Sequence, residues 1–338
     1  MTKAITQRTY ARVGLMGNPS DGFEGKTISL SIKNFWGEAT LEESSDIQLI
    51  PHPIFDNLQF KDHKQLNKKF AHEGYHGGIV LLQATCRVFF NYCEKQKFEV
   101  NKNFHLKYDT NIPRQVGLAG SSAIITSVMK CLIQFYEIKI PIEILPQLIL
   151  DVETKELNIN AGLQDRVVQV YEGLIYMDFN KEYMHKHGHG IYQRLSPPRL
   201  PKLFIVYSKD PTHSGKIHSN VKQRWMNGEP EVIEGMKNLA KLTDEAKVAL
   251  IKGDFGSLGE LINSNFDHRR SMYDVQSLGE NNLNMIEIAR EVFNCPCKFP
   301  GSGGAVLGII IDDSKETLMQ KKYESLGYKF VVVEPYLP

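Results

Sequence analysis

A glycine-rich loop followed at once by an apolar, helix-patterned segment constrains the fold of this chain more than any other feature. The loop occupies residues 113–123, with the sequence Pro-Arg-Gln-Val-Gly-Leu-Ala-Gly-Ser-Ser-Ala, and the helical pattern ends near Tyr136. Glycines let backbone N–H groups approach an anion closely, and a helix N-terminus adds unpaired donors and partial positive charge. The segment therefore predicts a phosphate-binding loop, with serine hydroxyls available to a Mg²⁺ ion carried by the phosphate.

The loop matches neither of the two common phosphate-binding signatures. It has no Lys after its last glycine, as a P-loop requires, and it lacks the G-x-G-x-x-G spacing of dinucleotide-binding folds. Glycine-rich turns before helices are also common as purely structural features. The loop alone thus leaves a structural turn open as the alternative.

Two further segments supply parts that phosphoryl transfer needs and that a turn does not. Glu153 and Asp165 lie on either side of an Asn/Gly-containing break at 158–162 that should separate two elements. Such a break can bring both carboxylates into one site, one to bind Mg²⁺ and one to take a hydroxyl proton. A second glycine cluster, at residues 301–304, precedes a strand pattern at 306–311 and could brace either the phosphates or the first loop.

Four motifs, in the same order along the chain, resemble those of the GHMP kinases, the family of galacto-, homoserine, mevalonate and phosphomevalonate kinases. Residues 12–21 are similar to the R-V-x-L-x-G-x-x-x-D substrate strand and loop of galactokinases. Residues 113–123 are similar to P-x-x-x-G-L-G-S-S-A, with Ala119 as an additional residue. Residues 162–165 are similar to G-I-M-D, and residues 301–305 to G-x-G-G.

The resemblance implies a role for each candidate site residue. Asp165 would orient or deprotonate the sugar hydroxyl, with Arg12 close by to keep it ionised. Glu153, at the spacing of the family's magnesium-binding Glu, would hold Mg²⁺ together with Ser121 or Ser122. The residues expected to bind ATP are Pro113, Gly117, Leu118, Ala119, Gly120, Ser121, Ser122, Ala123, Gly301, Gly303 and Gly304, and those expected to bind the sugar are Asn18, Asp21 and Gly162.

Within the GHMP kinases, the resemblance is strongest to the glucuronokinases and extends over nearly the whole chain. The segments that carry it are residues 17–21, 108–115, 161–167, 214–216 with His218, and 224–225. It implies transfer of the ATP γ-phosphoryl group to the anomeric hydroxyl of D-glucuronate. Two alternatives stay open: a GHMP kinase for galactose, galacturonate, fucose or a heptose phosphate, and a non-catalytic nucleotide or sugar-acid sensor on the same fold.

The substrate loop has a residue that bears on sugar choice. Galactokinases carry a Glu-His pair before the motif Asp, where this chain has Asn18 and Pro19. A carboxylate there would repel a uronate, whereas Asn18 removes the charge and offers N–H donors, and Asp21 can accept bonds from ring hydroxyls. The cation that would bind the uronate carboxylate is left open among Lys26, Arg114, Lys216, Arg224 and Arg269.

The order of strand and helix patterns predicts an α+β fold. The resemblance implies an N-terminal ribosomal-protein-S5-like α/β domain at residues 1–197 and a C-terminal ferredoxin-like α+β domain at 198–338. Strand patterns at 28–32, 103–109, 203–207 and 328–333 alternate with helical patterns at 77–93 and 314–326. A proline-rich stretch at 195–201 is typical of a linker.

Composition excludes some classes of partner. The net charge of +1 predicts no nucleic-acid partner, and the sequence shows neither a signal peptide nor a membrane-spanning run, so a soluble cytoplasmic protein is expected. Five cysteines suit a reducing compartment. The histidines at 185, 187 and 189 are expected in a solvated loop rather than in a metal site. Monomer and homodimer are both open.

Overall fold

The structure is a computed structural model that describes residues 4–67, 77–208 and 218–338. Its strands are β1 (Ile5–Met16), β2 (Lys26–Ser44), β3 (Gln48–Leu49), β4 (Asn103–Thr110), β5 (Leu174–Asp178), β6 (Ile191–Arg194), β7 (Leu203–Ser208), β8 (Cys297–Lys298), β9 (Ala305–Ile309) and β10 (Tyr328–Val332). Its helices are α1 (Gly78–Gln96), α2 (Gly120–Phe135), α3 (Leu145–Asp151), α4 (Leu163–Tyr171), α5 (Lys181–His187), α6 (His218–Met226), α7 (Pro230–Lys252), α8 (Phe255–Met272), α9 (Val275–Leu278), α10 (Glu280–Glu287) and α11 (Glu316–Ser325). The predicted α+β class is confirmed.

The chain forms two compact units, each assembled from separate segments. Unit 1 comprises Met1–Thr9, Phe35–Asn111 and Gly120–Ala161, and unit 2 comprises Tyr10–Asn34, Ile112–Ala119 and Gly162–Pro338. The long strands β1 and β2 therefore contribute residues to both. The predicted division into residues 1–197 and 198–338 remains a prediction.

Unit 1 contains a mixed sheet with helices packed on it. The second half of β2 pairs antiparallel with β4, from Gly37↔Thr110 to Ser44↔Asn103, and β3 pairs parallel with β4. Alternate β4 side chains are buried, as expected of a strand with one face on a core. At Gly37 a Cβ would lie only 3.0 Å from the backbone nitrogen of Ile124, so this glycine lets β2 approach α2 closely.

Unit 2 contains two sheets. In the first, β5 pairs antiparallel with the first half of β2 and with β6. In the second, the strand order is β10-β7-β9-β8 with antiparallel neighbours. An apolar core that includes Phe204, Phe266, Met285 and Tyr323 joins this second sheet to its helices. The predicted strands at 203–207 and 328–333 and the predicted helix at 314–326 are confirmed to within two residues.

Strand β2 differs from the predicted alternation in one respect. Ile28, Leu30 and Ile32 are buried as expected, but Ser29 and Ser31 between them are buried as well. The strand is thus covered on both faces, which its alternating sequence does not indicate. None of the helices in the described part of the chain has the length and apolar character needed to cross a membrane.

Candidate active site

The predicted catalytic pair meets in unit 2. Arg12 is buried on β1, and Asp165 lies in the first turn of α4, where the helix dipole favours a carboxylate. The Arg12 Nε and Nη2 atoms lie 2.7 and 2.6 Å from the same Asp165 oxygen, Oδ1. Arg12 Nη1 donates to the carbonyl oxygens of Gly117, at 2.6 Å, and Pro300, at 3.3 Å. One guanidinium therefore joins the motif Asp to both glycine-rich loops.

Arg166 is a second cation at this carboxylate, and sequence reasoning missed it. Its Nη1 donates to the Gly162 carbonyl oxygen at 2.9 Å and lies 3.4 Å from Asp165 Oδ2. Burial, assisted by the nearby charge of Arg12, lowers the pKa of Arg166 to about 9. The sequence signal for Arg166 is its position directly after the motif Asp. A solvated Asp-Arg ion pair at the surface would give the same sequence, so the position alone does not identify a buried cation.

The other motif carboxylate, Asp21, faces the same helix end. It lies in a 3-10 turn, Ser20–Phe23, and a Cβ at Gly162 would come within 2.8 Å of Asp21 Oδ2. Glycine at 162 thus leaves room for the Asp21 carboxylate. Burial, followed by the charge of Asp165, raises the pKa of Asp21 to about 7, while Arg12 acts in the opposite direction.

The two glycine-rich loops pack backbone against backbone. A Cβ at Gly117 would lie 2.8 Å from the Gly303 carbonyl oxygen, and a Cβ at Gly301 would collide with the Gly117 carbonyl oxygen. Gly304 has φ +83°, and a Cβ there would lie 2.8 Å from the Gln115 carbonyl oxygen. The sequence left open whether the glycine cluster at 301–304 contacts the phosphates or the first glycine-rich loop. In the structure it contacts the first loop.

The additional residue of the phosphate loop, Ala119, has a left-handed backbone with φ 64°. Glycine normally takes this conformation, because a Cβ makes it strained. The Ala119 carbonyl oxygen accepts a hydrogen bond from Gln169 Nε2 at 2.9 Å, which helps to hold the turn. Leu118 is buried beside it. The loop thus reaches the start of α2 at Gly120 in a defined conformation, while Pro113 is half-buried and begins it.

In unit 1, Ser121 and Glu153 form the candidate metal site. Ser121 Oγ donates to Glu153 Oε1 at 2.8 Å, whereas Ser122 is 0% exposed and Ala123 is buried next to it. Glu153 is buried on a π-helical turn, Val152–Glu156, of a kind often found at functional sites. Two oxygen ligands suit Mg²⁺, which usually completes its shell with phosphate oxygens and water. No cluster of three or more His, Cys, Asp or Glu side chains that could hold a metal occurs among the described residues.

The amide of Asn18 is bonded within the protein. Asn18 is 4% exposed, and its Nδ2 donates to the carbonyl oxygens of Phe299, at 3.1 Å, and Gly301, at 3.4 Å. Its Oδ1 accepts from Lys298 Nζ, which also donates to the carbonyl oxygens of Gly14, at 2.8 Å, and Phe299, at 2.9 Å. Three acceptors match the three N–H groups of an ammonium.

Lys298 is a second residue that the sequence did not single out. It is only 1% exposed, and burial, with the charges of Arg269 and Arg12, lowers its pKa well below the ordinary value of a lysine. The sequence signal for Lys298 is its position on the two-residue strand β8, just before the second glycine cluster. Nothing in the pattern separates it from a surface lysine.

The candidate cations for the uronate carboxylate are mostly engaged elsewhere. Lys26 lies 2.7 Å from Asp244 Oδ2, and Arg224 lies 2.7 Å from Glu229 Oε2. Arg269 is buried, and its guanidinium donates to the carbonyl oxygens at 301 and 302, at 2.7 and 3.1 Å. Arg114 is exposed, and Lys216 lies outside the described residues.

The histidine-rich segment differs from the predicted loop. His185 and His187 belong to helix α5, and only His189 follows it. His187 stacks on Tyr183 with ring centroids 4.2 Å apart, one turn away on the same helix. The helix is capped by Asn180, whose side chain accepts a hydrogen bond from the Tyr183 backbone N–H.

Comparisons with known proteins identify the family of this chain. The family model of the GHMP kinase N-terminal domain matches residues 81–173. Glucuronokinase 1 of Arabidopsis thaliana is 48% identical over 331 residues, covering 97% of this chain and 91% of that protein. Among solved structures, Lactococcus lactis galactokinase complexed with galactose has a TM-score of 0.75 at 16% identity, covering 99% of this chain and 94% of that one. Streptococcus pneumoniae phosphomevalonate kinase in complex with phosphomevalonate and AMPPNP has a TM-score of 0.75 at 15% identity, covering 98% and 100%.

The two distant structures show the shared fold, which is that of the GHMP kinases. The identity to a glucuronokinase is much higher and extends over nearly all of both chains. Together with the four motifs in order, it shows that the chain belongs to the glucuronokinase group of the GHMP kinase family.

Proposed function

We propose that this protein is an ATP-dependent sugar-1-kinase that transfers the γ-phosphoryl group of ATP to the anomeric hydroxyl of D-glucuronate, giving glucuronate 1-phosphate. The similarity to a glucuronokinase supports the substrate, and the bond between Arg12 and Asp165 next to the glycine-rich loops carries the chemistry. A phosphoryl-transfer site needs a carboxylate at the acceptor hydroxyl and backbone donors at the phosphates. A sensor would need neither the carboxylate nor its guanidinium partner.

In this proposal the chain acts mainly by positioning. Backbone N–H groups from Gly117 to Ser122 would hold the phosphates of ATP, with the start of α2 adding its dipole. Asp165, kept in one orientation by Arg12, would contact the anomeric hydroxyl. Such fixed dipoles and charges account for much of the catalysis in phosphoryl transfer.

Ser121 and Glu153 would hold Mg²⁺. Their oxygens are 2.8 Å apart and of the type that Mg²⁺ prefers, and the buried Ser122 lacks the exposure of its neighbour. When bound, Mg²⁺ would supply positive charge that offsets the negative charge developing on the transferred phosphoryl group. We therefore expect the Mg²⁺ requirement of the enzyme to depend on the Glu153 carboxylate.

The balance of buried charge supports anionic ligands. The cations in the region of unit 2 described above are Arg12, Arg166 and Arg269, and the carboxylates there are Asp21 and Asp165. Buried charge without compensation is unfavourable, so an excess of cations favours ligands that bring negative charge. ATP and a uronate both do.

A substrate panel tests the proposal. Glucuronate, galacturonate, galactose, fucose and a heptose phosphate are each offered with ATP and Mg²⁺, and ADP formation is measured together with the position of the new phosphate by phosphorus NMR. Glucuronate is expected to have the highest kcat/KM, by about tenfold or more over a neutral sugar, and to give a 1-phosphate. A higher kcat/KM for galactose or fucose would show that the neutral sugar is the preferred substrate instead of glucuronate. Nucleotide binding without turnover of any sugar would favour a sensor.

A further inference from the structure

From the contacts of the second glycine cluster we infer that Arg269 is a positioning residue for ATP. Its guanidinium turns the carbonyl oxygens of residues 301 and 302 towards α8, so that the backbone N–H groups of residues 302 and 303 face away from this helix. The inference rests on the proposed function and adds a residue to its nucleotide site. It also takes Arg269 out of the set of cations considered for the uronate carboxylate.

Arg269 is fixed in one place by its surroundings. It lies on α8 and is 1% exposed. Its Nη1 donates to the Gly301 carbonyl oxygen at 2.7 Å, and its Nη2 donates to the Ser302 carbonyl oxygen at 3.1 Å. The guanidinium carbon lies 5.2 Å from the ring centre of Phe299 and 5.4 Å from that of Tyr273, and aromatic ring faces attract a cation. Hydrogen bonds from a charged donor are stronger than neutral ones, so Arg269 holds two successive peptide groups firmly.

These two bonds decide which way the peptide groups face. In a trans peptide the C=O bond and the following N–H bond lie in one plane and point in opposite directions. Because the carbonyl oxygens of Gly301 and Ser302 point to Arg269, the N–H groups of Ser302 and Gly303 point away from it. The Ser302 nitrogen accordingly lies 3.3 Å from the position that a Cβ on Gly117 would occupy. The Ser302 peptide nitrogen is therefore on the side of the first glycine-rich loop.

The glycines of the cluster leave its peptide groups easy to rotate, because a residue without a Cβ reaches many backbone conformations. A rotated peptide would turn a carbonyl oxygen, which carries partial negative charge, towards the loop proposed to bind phosphates. Asn18 Nδ2 reaches the Gly301 carbonyl oxygen at 3.4 Å, so the 2.7 Å bond from Arg269 is the closer hold. Arg269 thus keeps donors rather than acceptors facing the first loop at these two peptides.

The same contacts argue against a role for Arg269 at the uronate carboxylate. Both of its terminal nitrogens donate to carbonyl oxygens of the cluster. A sugar carboxylate would have to displace these bonds and reach a side chain that is 1% exposed. The buried positive charge still favours a nearby anion, because carbonyl oxygens do not neutralise it. Orientation of the cluster and this charge both favour phosphate binding at the first loop.

Calorimetric titration with ATP and Mg²⁺, without sugar, tests the inference. Arg269→Met keeps an apolar stem between Phe299 and Tyr273 but removes both donors, so the Kd for ATP should rise roughly 10- to 100-fold, the scale of one hydrogen bond to a charged group. Arg269→Lys keeps the charge without the planar pair of donors and should recover part of the affinity. Arg270→Met, at the exposed neighbouring position of α8, is the matched control and should bind ATP as the wild type does.

Steady-state kinetics separate positioning of ATP from the two other roles open to Arg269. The KM for ATP should rise more than the KM for the sugar in Arg269→Met. A purely structural role would lower the Tm and the fraction of active protein while leaving the Kd of the folded protein unchanged. A role at the sugar carboxylate would raise the KM of a uronate more than that of a neutral sugar, with normal affinity for ATP. Either of these results would overturn the inference.

The variants keep the outcome clear if Arg269→Met does not fold. Arg269→Lys should then still show a Kd for ATP about threefold or more above that of the wild type, the scale of one weakened hydrogen bond, and a wild-type Kd would contradict the role of Arg269. Absence of ATP binding by the wild-type protein would count against the proposed function. Equal Kd values for the wild type and a folded Arg269→Met protein would count against Arg269 alone.

Discussion

Arg12 donates two hydrogen bonds to one oxygen of Asp165, with Nε at 2.7 Å and Nη2 at 2.6 Å from Oδ1. The same guanidinium reaches the Gly117 carbonyl oxygen at 2.6 Å through Nη1. The planar guanidinium group of Arg12 fits this arrangement, because its five N–H groups point in fixed directions. One buried side chain thus orients both the motif Asp and the loop proposed to bind phosphate.

Replacing Arg12 by Lys keeps the charge but removes the fork. A single ammonium cannot bond Asp165 and two carbonyl oxygens in the same geometry, so we expect kcat/KM to fall roughly 100-fold, the scale on which small misplacements act. Steady-state kinetics together with ATP binding by calorimetry measure the effect. Arg8→Lys on the same strand is the matched control, since Arg8 makes an exposed ion pair with Glu38 and its replacement should change little.

Replacing Glu153 by Gln should weaken the metal site selectively. The amide keeps an oxygen for Ser121 but loses the charge that attracts Mg²⁺, so the Mg²⁺ concentration for half-maximal activity should rise by about tenfold or more. A magnesium titration at fixed ATP gives this value. Glu156→Gln, on the same π-helical turn but paired with Arg87, should leave it unchanged. Equal behaviour of the two variants would remove Glu153 from the metal site.

Replacing Gly120 by Val should raise the KM for ATP or abolish binding. Gly120 is the first residue of α2, where a branched side chain would fill the space proposed for a phosphate. Affinity for ATP measured by calorimetry, with a melting curve to confirm folding, tests the point. Gly256→Val near the start of α8 is the control, because a Cβ there meets only Asp254 Oδ1, at 3.6 Å. A folded Gly120→Val protein with normal ATP affinity would leave the loop as a structural turn.

Replacing Asn18 by Asp adds a charge without adding bulk. Like charges at about 4 Å repel by about 1 kcal/mol in water and about 4 kcal/mol at an effective dielectric near 20, which would lower kcat/KM for a uronate. Lys298 contacts Asn18 Oδ1 and would neutralise part of the new charge, so we expect a loss of about tenfold, the lower end of this range. The kcat/KM for galactose should fall less in the same variant. Equal losses on both sugars would show that Asn18 acts only through its bonds to Phe299 and Gly301.

Replacing Asp21 by Asn should stabilise the ligand-free protein in a pH-dependent way. The pKa of Asp21 rises from 3.8 to about 7 on folding, so the folded state holds this proton more tightly than the unfolded chain. Wild-type stability contributed by Asp21 is therefore present below about pH 4 and is lost as the pH rises through about 7. Asparagine does not ionise, so the Tm difference in favour of Asp21→Asn should grow from pH about 5 to pH about 8.5. A Tm difference that is the same at both pH values would contradict the raised pKa.

Much of this protein could be predicted from its sequence, because the signals lie in short contiguous stretches. The strands at 203–207 and 328–333 and the helix at 314–326 follow from local hydrophobic periodicity, which depends only on neighbouring residues. The motifs around Arg12, Gly117 and Asp165 identify the family in the same way. The α+β class and the GHMP kinase fold follow from their order along the chain.

The tertiary structure decided most of the contacts among charged groups, although the family resemblance already placed Arg12 near Asp165. Arg12 and Asp165 are 153 positions apart, and Lys298 is 280 positions from Asn18, so neither contact appears in a local pattern. A lysine beside a glycine cluster looks solvated in sequence, yet packing buries Lys298 among carbonyl oxygens. The raised pKa of Asp21 likewise depends on burial and on Asp165, which chain folding brings to it. Local sequence determines secondary structure, whereas the burial and the charges around a side chain come from distant segments packed against it, and these set its chemistry.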